Sequence, residues 1–274
     1  MSDDIERIPE IVGGYRLGRH IEHDPRSIAY RVTRTAEAWP TVRHHLAAPV
    51  LDQGGLGACT GFAAAACMSF YTDLADDLPI SDGIWHDFAR SLYSDATRLD
   101  PFPGEWPVDD TGSTGLAVAK AAQRGGYLSG YQHILEPAAL AAALQEGPVI
   151  VGTYWYDSMF ETDLNGLITV DFTSPIVGGH EYVLDEVKPG FFGFRNSWGP
   201  EFGDNGRFYL AQSDFLRLLA RSGDATKLIP VTEPAPVPVP VPTPEPEPEP
   251  EPAAPPSLWE WLVSLWRRLL EWLR

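Results

Sequence analysis

A thiol becomes a nucleophile when its pKa is lowered, a base stands beside it and donors wait for the oxyanion it creates. This sequence offers a candidate for each requirement. Cys59 follows the turn-rich run Asp52-Gln-Gly-Gly-Leu-Gly-Ala and opens a stretch, through Phe62 and four alanines to Cys67 and Tyr71, whose composition predicts a buried helix. Unpaired N–H groups and the macrodipole at a helix start favour a thiolate, and the glycines let the backbone bend and a substrate chain come close. His180 lies 121 residues downstream in a predicted strand, and Asn196 sixteen beyond it, just after the next strand. A hairpin would set the two side by side, with the amide accepting the imidazole N–H and fixing the ring. Gln53, six residues before Cys59, can aim an amide donor at the attacked carbonyl. Cys67, on the same predicted helix, reads as packing.

These side chains need elements to bring them together. Further helices are predicted at Gly115 to Arg124, behind the capping residues of Asp110-Thr-Gly-Ser-Thr, and at Pro137 to Gln145. From Gly147 the composition turns to strands: Pro148 to Tyr156, His180 to Leu184, Gly190 to Arg195, and Arg207 to Leu210 after a glycine-rich turn. Residues 1–48 read as an irregular arm with strand character around Ala29 to Thr33. Helices first and strands after predict an α+β protein with a helical half, a sheet half and a cleft between them.

Asp52-Gln53-Gly-Gly-Leu-Gly-Ala-Cys59, Gly178-Gly179-His180 and Asn196-Ser197-Trp198-Gly199 resemble the three active-site motifs of papain-like cysteine peptidases, in that family's order and at its spacings. The resemblance runs from about Tyr15 to Leu219, and the lead-in Gly14-Tyr15 through Tyr30 looks like that of bacterial members without disulfides. It implies the papain-like two-lobed fold, with a helical left lobe, an antiparallel β-barrel-like right lobe and the site in the cleft. It also implies Cys59 as nucleophile, His180 as general base and acid, Asn196 as its orienter, and Gln53 with the Cys59 N–H as oxyanion donors. Trp198 would shield the His180–Asn196 bond from water, and the backbone of Gly112 and Ser113 would pair with an extended peptide.

The departures are specific. Thr60 replaces the aromatic residue that usually follows the nucleophile, and Phe202 replaces a second tryptophan. Leu56 and Thr111 stand where many secreted members carry cysteines. Glu181 follows His180 where the family has a small residue; pointing into the site it would raise the imidazolium pKa, and alternating away it would do little. The 58 residues before Cys59 are too few for the usual inhibitory propeptide plus lead-in, which leaves the restraint of activity open.

Composition bounds the partners. Twenty Lys plus Arg against 38 Asp plus Glu give a net charge of −18, which argues against nucleic acid. Two cysteines are too few for a disulfide framework or a four-ligand zinc site, so no metal or cofactor is expected and the compartment reads as reducing and cytoplasmic. The acidic start, Met1-Ser-Asp-Asp-Ile-Glu, does not resemble a signal peptide.

Thirteen of the 26 prolines fall between Pro230 and Pro256, alternating with Val and then Glu, a polyproline spacer whose 27 residues could reach roughly 80 Å. In Ser257 to Arg274, Glu260, Ser264, Arg267, Glu271 and Arg274 form a polar helical stripe among Leu, Trp and Val. Such a helix suits a membrane surface or the groove of a protein partner or shell; folding back or self-association is the plainer use.

The expected organisation is therefore an arm at 1–48, a peptidase domain at 49–228, a linker at 229–256 and an amphipathic helix at 257–274. The expected function is hydrolysis of peptide or protein substrates through a thiol acyl-enzyme, tethered by that helix. The same site could instead serve an amidase, deamidase or transpeptidase, and a catalytically silent binding module is the alternative of another class. Substrate preference and oligomeric state are not legible in the sequence.

Overall fold

The computed structural model describes residues 14–71 and 81–231. The spacer beyond residue 231 and the predicted helix at 257–274 lie outside the described residues, as do residues 1–13 of the arm.

Five helices are described: α1 (Cys59–Met68), α2 (Asp82–Thr97), α3 (Gly115–Arg124), α4 (Pro137–Ala143) and α5 (Gln212–Ala220). Helix α1 has no polar side because it needs none: all ten residues are buried. Gly61 lets it lie close to α2, where a Cβ would overlap the carbonyl of Ala89. Thr114 caps α3 by accepting from the Ala117 N–H at 2.9 Å.

The strands are β1 (Val42–Arg43), β2 (Leu128–His133), β3 (Val149–Tyr156), β4 (Ile176–Lys188), β5 (Phe191–Arg195), β6 (Arg207–Ala211) and β7 (Asp224–Pro230). They pair antiparallel in the order β2-β7-β3-β4-β5-β6, with β1 added to β4. Strand alternation divides two cores. Ile150, Val183 and Leu228 join the alanines of α1 and α3 and the aromatics of α2, whereas Val149, Val151, Tyr182 and Leu184 join Trp155, Phe192, Phe194, Phe208 and Phe215. The mixed helical and sheet architecture is the expected α+β.

The structure departs from the sequence reading in places. Around Ala29 to Thr33 there is no strand; Pro25–Tyr30 is a 3-10 helix, because Pro25 presets its first turn and Asp24 caps it from the Arg26 N–H. Only Arg31 makes an isolated bridge, to His133. Helix α1 stops at Met68 and α4 at Ala143, short of the predicted Tyr71 and Gln145. Helices α2 and α5 and strands β1, β2 and β7 are additions to that reading, and β7 carries Asp224, which meets Arg19.

Candidate active site

Two loops are fastened together at the cleft. The Gln53 N–H donates to the Ser197 carbonyl at 2.9 Å and the Gly199 N–H to the Leu51 carbonyl at 3.0 Å, so the glycine loop before α1 lies along the Asn196–Gly199 turn. The Gln53 side chain adds to this: its Oε1 accepts from Ser197 Oγ at 2.7 Å, while Nε2 donates to the carbonyls of Leu56 at 2.7 Å and Arg16 at 3.0 Å.

His180 and Asn196 meet across the β4–β5 hairpin, His180 Nε2 lying 2.7 Å from Asn196 Oδ1. The same oxygen accepts the Ser197 N–H at 2.8 Å, which fixes it as an acceptor. Nε2 therefore carries the ring proton and Nδ1 the lone pair. Nδ1 is buried and makes no hydrogen bond. Trp198 stacks on the imidazole at 4.4 Å between ring centres, and Trp155 meets it edge-on at 5.1 Å.

Cys59 lies at the first position of α1, where no side chain caps the helix. The backbone N–H groups of Glu181 and Gly18 favour its thiolate, but complete burial is the larger effect and pushes the thiol up to about 12. Burial likewise brings His180 down to about 4 against the opposing bond to Asn196. Thiol and imidazole are thus both neutral at pH 7 in this state. The helix start is in place as expected, yet desolvation outweighs it. Cys67 lies deeper on the same helix, buried among apolar side chains, its Sγ 3.6 Å from the Pro148 carbonyl.

The desolvation has a visible source, the chain's own segment Tyr15–His20. The N–H groups of Gly18 and Arg19 donate to the Gly179 carbonyl at 3.3 and 3.0 Å, the Ser113 N–H donates to the Gly18 carbonyl at 2.9 Å, and the His20 N–H donates to the Ser113 carbonyl at 2.8 Å. Tyr15 stacks on Trp198 at 4.6 Å. Gly18 comes so close to Gly57 that a Cβ would overlap the Gly57 carbonyl. The Arg16 carbonyl meanwhile takes the Gln53 amide proton that the sequence reading reserves for a substrate. Ser113 thus presents its backbone to an extended segment, whereas the Gly112 N–H is taken by Tyr93 Oη at 2.9 Å.

Glu181 alternates away from His180, as strand neighbours do. It faces the helical side and meets Arg19, with Arg19 Nε 3.8 Å from Glu181 Oε2 and both side chains fully buried. Arg19 bonds more closely to Asp224 through Nε, at 3.1 Å, and through Nη2. Burial, followed by the negative charge of Asp224, raises the Glu181 carboxyl well above the ordinary carboxylate range despite Arg19. Sequence reasoning missed Arg19 and Asp224. The available signal was Glu181 itself, an acid inside a strand of buried residues, which demands a partner without naming one.

Among the described residues no group of three or more His, Cys, Asp or Glu side chains could hold a metal ion. No family model matches the sequence, and comparison with curated proteins found no match. The fold is decided by solved structures. Xylellain, a cysteine protease from Xylella fastidiosa, superimposes with a TM-score of 0.64 at 18% identity, covering 82% of this chain and 98% of that one. This chain has the papain-like cysteine protease fold. A procathepsin B from Trypanosoma congolense (TM-score 0.56, 13% identity, 79% and 87% covered) and procathepsin L 3 from the larval midgut of Tenebrio molitor (0.54, 16%, 78% and 75%) are similar in the same way. Within this fold Gln53 is bonded to Ser197, Asn196 to His180, and Cys59 is met by the backbone of Glu181, next to His180, and of Gly18 in the Tyr15–His20 segment.

Proposed function

We propose that this chain is a cysteine peptidase held latent by its own Tyr15–His20 segment. The observation that carries the reading is the His180–Asn196 pair: a 2.7 Å bond from Nε2 leaves Nδ1 buried, proton-free and unpaired. When the segment leaves, water returns, and the burial that holds thiol and imidazole neutral is relieved. The Cys59 proton passes to Nδ1, and the sulfur attacks the peptide carbonyl. Gln53 Nε2 and the Cys59 N–H receive the oxyanion. The imidazolium then gives its proton to the leaving amine, and a water deprotonated by the same nitrogen hydrolyses the thioester. The carbonyl of Gly179 and the backbone of Ser113, paired now with Gly18 to His20, would hold the substrate chain.

Iodoacetamide labelling tests this directly, because an activated thiol reacts far faster than an ordinary one. With the segment displaced, Cys59 outpaces Cys67; equal rates would end the enzyme reading. Digestion of a peptide library by the wild type and by Cys59→Ala then separates peptide hydrolysis from amide chemistry on other substrates.

The second half of the proposal concerns delivery. The proline-rich spacer and the Trp- and Leu-rich stripe of Ser257 to Arg274 support a tether to a membrane surface or a protein partner. Liposome co-sedimentation of the full chain against a chain ending near Leu228 checks it, and equal binding by both would remove the tether.

A further inference from the structure

Three strands set up one row on the sheet face that looks toward Cys59. Gly152 of β3 is opposite Glu181 of β4 on one side and Asp224 of β7 on the other. Directly opposed residues share a face, so the row reads acid, glycine, acid, with two carboxylates flanking a gap. The gap is maintained by glycine: a Cβ on Gly152 would overlap Arg19 Nε and Glu181 Oε2, and one on Gly115, at the start of α3, would stand 2.7 Å from Glu181 Oε1 and 2.9 Å from Asp224 Oδ1. The floor of the slot therefore has room for one long side chain and two charges to receive it. Arg19 fills it now.

The fit of Arg19 is incomplete. Of the two acids its guanidinium bonds only Asp224, with Nη2 also donating to the Ser222 carbonyl at 2.9 Å, and Arg19 Nη1, both carboxylate oxygens of Glu181 and Asp224 Oδ1 are buried without a hydrogen-bond partner. A core ion pair needs its buried atoms matched to offset desolvation. Arg19 belongs to the segment that covers the cleft, and its backbone N–H bonds to Gly179, the neighbour of His180. Whatever replaces the segment must therefore also fill the slot or leave two facing carboxylates without a cation.

We propose that this slot is the specificity pocket of the peptidase, and that it selects substrates carrying an arginine within two residues of the bond cut. A planar guanidinium is the side chain that can bond both carboxylates at once, and the net charge of −18 favours the approach of basic peptides. This inference rests on the peptidase reading for the word substrate, but the slot itself can be measured apart from catalysis.

The test uses full-length Gly18→Ala, which cannot seat its segment because the added methyl meets the Gly57 carbonyl. N-acetyl-arginine methylamide and its uncharged isostere N-acetyl-citrulline methylamide are titrated against it. The arginine probe binds at least tenfold more tightly, and Asp224→Asn or Glu181→Gln in the same chain removes that preference. Equal binding of the two probes, or a preference unchanged in both variants, overturns the proposal. Should Gly18→Ala not fold, Arg19→Ala empties the slot from within. Ethylguanidinium then raises its Tm and ethylurea does not; equal effects refute the slot. The two readings fail separately. Selective arginine binding with a sluggish Cys59 keeps the slot and ends the peptidase, whereas a fast-labelling Cys59 with no arginine preference does the reverse.

Discussion

Among the described residues two buried arginines each face two carboxylates, and they are built differently. Arg207 on β6 bonds Asp185 through both Nη atoms, at 2.7 and 2.8 Å, and Glu186 at 2.9 Å. All three residues come from strands of one sheet, and neither acid has a buried oxygen without a partner. Arg19 reaches its acids from a segment outside the seven strands and leaves the Glu181 carboxylate without a hydrogen bond. The contrast separates a cluster that holds the sheet from one that holds an occupant. A fixed pair repays desolvation with matched geometry, while a seat for exchangeable guests keeps a surplus of acceptors.

The largest expected effect breaks the fixed cluster. Arg207→Ala strands two buried acids and should cost about 3–5 kcal/mol in urea unfolding. Arg19→Ala should cost clearly less, because the segment can lift and admit water. If the two losses are equal, the distinction between them is gone.

Filling each gap comes next. Gly193→Ala places a methyl 2.9 Å from Glu186 Oε2 and from Tyr209 Cε1, and overpacking of this kind costs about 1–3 kcal/mol of global stability. Gly152→Ala instead pushes against Arg19, so amide protection should fall at Gly18, Arg19 and Ser113 before it falls in α1. Uniform loss of protection would place Arg19 with the fixed core.

The smallest effect is set by pH. In the closed state Cys59 keeps its proton up to about 12, and Glu181 is raised well above its ordinary value. A raised closed-state pKa is stability present at low pH and lost as pH rises from the ordinary value toward the raised one, which for Glu181 begins near 4.5 and for Cys59 runs from about 9 to about 12, so closure weakens as the solution is made alkaline. His180, brought down to about 4, works in the opposite sense only below its ordinary value of about 6.5. Exchange at Gly18 and Arg19, corrected for the intrinsic base-catalysed rate, should therefore speed up as pH rises. A flat profile would mean that the segment is not sealed over these groups.

The same contrast marks how far the sequence could be read. Helix α1 was legible because alanine and apolar residues fill most of its positions, and His180 and Asn196 because strand, turn and strand fix their separation. The slot was not. Arg19 and Asp224 are 205 residues apart, and neither carries local periodicity or turn chemistry that points to the other. Glu181 announced that some cation was needed, and only the register of β3 against β4 and β7 shows where it sits. Tyr15–His20 escaped as well, since a segment bonded mainly through its backbone leaves little pattern in its side chains. The restraint proposed for this chain rests on those backbone bonds alone.

The central claim is that Cys59 is an activated thiol under a removable cover. It is tested most directly by a mass-spectrometric time course of iodoacetamide labelling at pH 7 in the full chain and in Gly18→Ala, with Cys67 as the internal standard. The account predicts slow labelling of both cysteines in the wild type, and in Gly18→Ala a gain of at least about tenfold at Cys59 alone, equivalent to about 1.4 kcal/mol. A Cys59 that stays as slow as Cys67 once the cover cannot close would contradict it.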